Sequence, residues 1–119
     1  MVYKNRKAIF MDRKTLLRDE PKNLIKTLRK AFQANGVPVD KIIIFGSYAK
    51  KTNRPDSDLD LCVVSKSFGK DSLKEMMELT KISSRIDPMI EIHPYNPQDL
   101  NNKFDPLAKE IREHGILGY

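Results

Sequence analysis

The chain is short of cysteine, of long apolar runs and of repeats, and each shortage closes off a class of protein. A single cysteine, Cys62, among 119 residues makes neither an internal disulfide nor a cysteine-based zinc site. No apolar run approaches the ~20 residues a membrane helix needs, so no spanning segment is expected. The opening residues, MVYKNRKAIFMDRK, carry neither the apolar stretch nor the small-residue cleavage site of a secretory signal. A reducing cytoplasm is the location these features imply. Repeats and low-complexity tracts are missing too, so the elements read in order as one domain over residues 1–119.

Charge is plentiful by contrast. Charged residues make up 32% of the chain, against about 25% in ordinary globular domains. The net charge of +6 is uneven: residues 1–41 hold eleven Lys/Arg and four Asp/Glu. Such a segment could meet an acidic partner or nucleic acid, but lysines between the apolar positions of a helix usually form a solvated face. Nucleic acid is therefore not the expected partner.

Leu24, Ile25, Leu28, Ala31 and Phe32 recur at helical spacing between Pro21 and Ala34, and Gly36 suits the left-handed residue that ends a helix. Leu16 and Leu17 are expected to form a separate short helical turn, because Pro21 would break a continuous helix. Lys41–Phe45 (KIIIF) reads as a buried strand. Asp58–Val64 (DLDLCVV) reads as a second strand, with Asp58, Asp60 and Cys62 on one face. Ser72 to Glu75 has capping-box spacing and opens a helix through Leu79 and Ile86. Met89–His93 (MIEIH) is the third strand, expected to close at Pro94. A last helix starts at Asp105 and Pro106. This order predicts an α+β domain: a small mixed sheet with helices packed on one face.

The chemistry concentrates in two stretches, Ile44-Phe45-Gly46-Ser47-Tyr48-Ala49 and Asp56-Ser57-Asp58-Leu59-Asp60-Leu61. Gly46 follows a strand directly and leaves its backbone open to another group, and Ser47 adds a hydroxyl, an arrangement suited to phosphate oxygens. Asp58 and Asp60 would project from one strand face. Two carboxylates about 4 Å apart repel by roughly 4 kcal/mol at an effective dielectric of about 20. A cation between them, or a proton on one, relieves that cost. Hard oxygen ligands with positions left for phosphate and water suit Mg²⁺ or Mn²⁺. Glu91, set between Ile90 and Ile92, can add a third carboxylate if its strand pairs beside Asp58–Val64. Three such groups can hold two divalent ions for in-line displacement at phosphorus.

Glycine-serine after a strand, then Ser57-Asp58-Leu59-Asp60, then Glu91, resembles the minimal nucleotidyltransferases of the DNA polymerase β superfamily. The resemblance covers about residues 20–119 and implies a polymerase β-like nucleotidyltransferase fold. It implies that Gly46 and Ser47 bind the β/γ-phosphates and that Ser57 braces the Asp58 turn. Asp58, Asp60 and Glu91 would ligate two Mg²⁺ or Mn²⁺ ions, and Glu91 would help remove the acceptor proton. Lys50, Lys51 and Arg54 are weaker candidates for neutralising triphosphate, and His93 for orienting Glu91, contacting the acceptor or acting as an accessory base. Tyr48 and Tyr95 could stack on a base, although packing roles suit them better. Cys62 reads as a small buried residue.

The implied reaction moves a nucleoside monophosphate, AMP from ATP by family preference, to an acceptor hydroxyl. Such minimal enzymes leave acceptor recognition to another chain or another copy. They are commonly paired with a helical HEPN protein in toxin–antitoxin modules, some of them transferring AMP to a tyrosine of that partner. Two other classes compete. One is a non-catalytic nucleotide- or toxin-binding module of the same fold, which has no need of three repelling carboxylates. The other is a metal-dependent sugar transferase, which Gly46-Ser47 directly after a strand disfavours.

Overall fold

Four strands and five helices follow one another in the computed structural model, which describes residues 15–119. Helix α1 spans Pro21–Ala34, with Pro21 at a position where its missing N–H costs nothing. Gly36, at φ 72°, ends it. The Gly36 N–H donates to the Gln33 carbonyl and the Val37 N–H to the Phe32 carbonyl, at 3.1 and 2.9 Å, so glycine meets the left-handed demand as expected. Leu16 and Leu17 do not form the expected helical turn. The Leu16 N–H instead donates to the Pro55 carbonyl at 2.9 Å, and the Arg18 N–H to the Asp87 carboxylate at 2.7 Å. These long-range partners hold the segment extended and bury Leu17.

Strand β1 (Lys41–Phe45) runs into the one-turn helix α2 (Ser47–Lys50), and β2 (Leu59–Val64) runs antiparallel to β1. Helix α3 (Ser72–Ile86) then crosses back to β3 (Ile90–Tyr95), which lies parallel to β2. Its cap is Asp71, one residue before the expected Ser72; the Asp71 carboxylate accepts from the Lys74 N–H at 3.1 Å. The remaining elements are α4 (Pro97–Leu100), α5 (Pro106–His114) and the two-residue β4 (Ile116–Leu117), which pairs with the free side of β1. The sheet order is β3-β2-β1-β4.

Strand β3 passes through Pro94, where closure was expected. The Leu59 and Ser65 N–H groups donate to the Met89 and Tyr95 carbonyls, so odd-numbered β3 residues face the ladder. Pro94 faces away from it on an edge strand, where its lack of an N–H breaks no bond.

Alternation divides the sheet into two faces. Ile42, Leu59, Leu61, Val63, Ile90 and Ile92 pack against Leu24, Leu28 and Phe32 of α1 and Leu79 of α3. Each fully buried side chain of this kind contributes about 1.5–3 kcal/mol, so this face carries the main core. The long helices thus share one face as expected, and α5 adds cover on the other, where Ile111 packs with Phe45, Cys62 and Val64. Asp60, Glu91 and His93 belong to this second, thinly covered face. Among the described residues no helix is long and apolar enough to cross a membrane.

Candidate active site

Backbone register places the acidic residues before any side-chain argument is needed. Phe45 pairs with Asp60 across β1 and β2, Asp60 with Glu91 across β2 and β3, and Cys62 with His93 one pleat further along. Paired positions in neighbouring strands put side chains on the same face within contact range. Ligand atoms of Asp60, Glu91 and His93 all lie within 4.8 Å of one another. The His93 Nε2 is 2.9 Å from the Glu91 Oε1. The Phe45 ring meets the imidazole edge-on with centroids 5.1 Å apart.

Gly46 closes the site from the β1 side. Its φ of 70° and ψ of −149° lie where a side chain is strained. A Cβ there would also overlap the Asp60 Oδ2. The absence of that methyl lets the carboxylate rest against the backbone that turns into α2.

This crowding changes the acidity of Asp60. Burial, then the Glu91 charge, then lesser repulsion from Asp58 and Glu110 push its pKa up from 3.8 to about 6, while His93 pulls the other way. A divalent ion would remove the penalty by matching the charge. Two carboxylates and an imidazole, their ligand atoms within 4.8 Å of one another, are a donor set of the kind a divalent ion takes.

The expected residues are not all brought together. Asp58 is exposed, just ahead of β2, and lies outside the Asp60–Glu91–His93 group, although its charge reaches Asp60. The Ser57 hydroxyl accepts from the Arg54 N–H at 2.7 Å and so braces the loop before Asp58. Ser47 is half-buried at the start of α2. Lys50 reaches Glu110 of α5 at 3.8 Å, while Lys51 and Arg54 stay exposed.

Neither tyrosine is placed as a base platform. The Tyr48 hydroxyl is 2.7 Å from that of Thr15, with its ring against the core. The Tyr95 hydroxyl donates to Asp105 at 2.8 Å. Burial pushes the Cys62 thiol up to about 12, which makes it a packing residue. Glu110 is the group the sequence reading missed. Its signal was its place between Leu107 and Ile111, at the border of the buried stripe of α5.

The profile of the nucleotidyltransferase domain family matches residues 25–117. No curated protein matches the chain. Three solved structures share its fold. One, a toxin–antitoxin with AMP-PNP, has 24% identity and a TM-score of 0.58 over 84% of this chain and 73% of that one. Another, the toxin–antitoxin MntA-HpeT in a double Asp-to-Glu mutant form, has 19% identity and a TM-score of 0.56 over 84% and 73%. The third, a candidate nucleotidyltransferase from Sulfolobus solfataricus, has 18% identity and a TM-score of 0.54 over 81% and 73%. The mixed four-strand sheet is that of the polymerase β-like nucleotidyltransferases, and the match over most of its length makes this chain a member of the nucleotidyltransferase domain family.

Proposed function

We propose that the protein transfers AMP from ATP to a hydroxyl of a partner protein, releasing pyrophosphate, and that it serves as the antitoxin of a toxin–antitoxin pair. The observation that carries the reaction class is the pairing of Asp60 with Glu91, closed on the third side by Gly46. Adenine and the toxin–antitoxin role are supported by the fold shared with a toxin–antitoxin containing AMP-PNP. A tyrosine on a helical HEPN-type partner is the proposed acceptor, since the sequence resembles minimal enzymes of such pairs. The single cysteine, buried and unpaired, fits a reducing cytoplasm.

Each residue then has a role. Gly46 offers its backbone, and Ser47 its backbone and hydroxyl, to the β/γ-phosphates. Ser57 fixes the loop that carries Asp58 to the phosphates. Lys50, on leaving Glu110, and Arg54 can draw the triphosphate to the open face. Asp58, Asp60 and Glu91 would hold two divalent ions, Mg²⁺ or Mn²⁺, which when bound supply the positive charge that the triphosphate and the departing pyrophosphate need. Glu91, half-exposed on the edge strand, also receives the proton of the acceptor hydroxyl. The acceptor oxygen forms its bond to the α-phosphorus as the bond to the bridging oxygen breaks, and pyrophosphate carries away the negative charge. Most of the acceleration comes from alignment and charge matching, not from covalent participation by the chain.

Incubation with α-labelled ATP, Mg²⁺ and the toxin partner tests this. Label on the partner with stoichiometric pyrophosphate is expected. Nucleotide binding without pyrophosphate release would instead identify a non-catalytic binding module.

A further inference from the structure

We infer that His93 is itself a metal ligand, so that the ion beside Glu91 is held by oxygen and nitrogen together and the site favours Mn²⁺ over Mg²⁺. The inference rests on the nucleotidyl-transfer reading of the site and concerns which ion that site selects.

The geometry leads there directly. Metal–ligand bonds of about 2.1 Å set neighbouring ligands of an octahedron about 3.0 Å apart and opposite ones about 4.2 Å apart. The His93 Nε2 and Glu91 Oε1 are already 2.9 Å apart, the length of one octahedral edge. Asp60 completes a set whose ligand atoms are mutually within 4.8 Å. His93 and Glu91 would hold the ion in place of their mutual hydrogen bond with little movement, and Asp60 would close in slightly from the 4.8 Å limit of the set.

The imidazole is also held for the purpose. Its side chain is 20% exposed against 54% for Glu91, and the Phe45 ring lies across its edge. Phe45, Asp60, Glu91 and His93 share the sheet face that α5 partly covers. A ring fixed on one side with its Nε2 among carboxylates is placed to give a lone pair to a cation. Mg²⁺ takes oxygen ligands and gives up water reluctantly; Mn²⁺ also favours oxygen but, as a first-row transition ion, accepts an imidazole nitrogen more readily than Mg²⁺ does. Replacing an oxygen ligand by Nε2 therefore favours Mn²⁺.

Tag-free protein loaded with Mn²⁺, alone and with a non-hydrolysable ATP analogue, provides the test. Electron spin-echo envelope modulation detects nitrogen bonded to the ion, and the chain has only two histidines, His93 and His114. A nitrogen coupling is expected in the unaltered protein, retained in His114→Gln and lost in His93→Gln. His93→Gln should also weaken Mn²⁺ binding about 10-fold or more, and Mg²⁺ binding by a smaller factor in calorimetry. Mn²⁺ bound without a nitrogen coupling, but released by Asp60→Asn, would overturn the role of His93 and leave the nucleotidyl-transfer reading standing. A coupling that persists in His93→Gln would overturn it as well. Failure of Mn²⁺ to bind with or without the analogue would overturn both. Should His93→Gln fold poorly, a coupling retained in His114→Gln still assigns the nitrogen to His93, and its loss there overturns the assignment.

Discussion

Gly46 and Asp60 are packed so closely that a single methyl group on the glycine would overlap the Asp60 Oδ2. Gly46→Ala therefore meets two penalties, one in the backbone at φ 70° and one against the carboxylate. We expect a stability loss of about 1–3 kcal/mol, read by denaturant unfolding. Divalent-ion binding should fall further than stability does, because the displaced group is the central carboxylate.

The acidity of Asp60 sets a pH dependence with a definite sign. Its native pKa, near 6, lies above the unfolded value of 3.8, so between these limits the native state holds more protons. Stability from this group is complete below about pH 4 and is lost as pH rises through about 6. In metal-free protein Asp60→Asn should remove that decline, so the stability difference between variant and parent grows in the variant's favour from pH 4 to 7. Divalent-ion affinity should run the other way, rising with pH through about 6 as the proton leaves. Thermal melts across pH with and without Mn²⁺ check both halves.

The three carboxylates should not be equivalent. Asp60→Asn and Glu91→Gln remove groups whose ligand atoms lie within 4.8 Å of each other and should reduce nucleotidyl transfer by at least ~1000-fold. Asp58→Asn, altering an exposed group outside that set, should leave metal binding to the nucleotide-free protein nearly intact while still abolishing transfer. Calorimetry without nucleotide, paired with the labelling assay, separates the two classes.

A purely structural contact provides contrast. The Tyr95 hydroxyl donates to Asp105, which also caps α5 by accepting from the Leu107 and Ala108 N–H groups at 3.0 and 3.1 Å. The Tyr95 bond, ahead of the cap bonds, holds the Asp105 pKa below its ordinary value, so this stability is present above about pH 4 and is lost as pH falls through the lowered pKa. Asp105→Ala should cost about 1–2 kcal/mol, shrinking in acid. Tyr95→Phe should cost about 1 kcal/mol. Metal affinity should stay unchanged in both.

How much of this was legible beforehand depends on the range of the interaction. The stripe of α1, the KIIIF strand and the DLDLCVV strand announce themselves because periodicity and β-branching act locally. Glu91 was readable as well, being a charge between isoleucines. Leu16 and Leu17 misled because the partners that hold their segment, Pro55 for Leu16 and Asp87 for the neighbouring Arg18, lie far along the chain. The cap of α3 moved from Ser72 to Asp71 because adjacent residues compete for the same free N–H groups, and either can serve. Pro94 reads as a stop until β3 is known to be an edge strand. Glu110 enters the site only through the packing of α5, and Asp58 falls outside the trio because β2 begins one residue after it. Local chemistry named the candidates; only the sheet register could say which of them lie side by side.

The account rests on Asp60 and Glu91 sharing a divalent ion beside a bound triphosphate. Anomalous diffraction from crystals grown with Mn²⁺ and a non-hydrolysable ATP analogue tests this most directly. We expect a manganese peak bonded to both carboxylates, with the triphosphate reaching the backbone of Gly46 and Ser47. Manganese and nucleotide bound elsewhere, with Asp60 and Glu91 left without an ion between them, would contradict it.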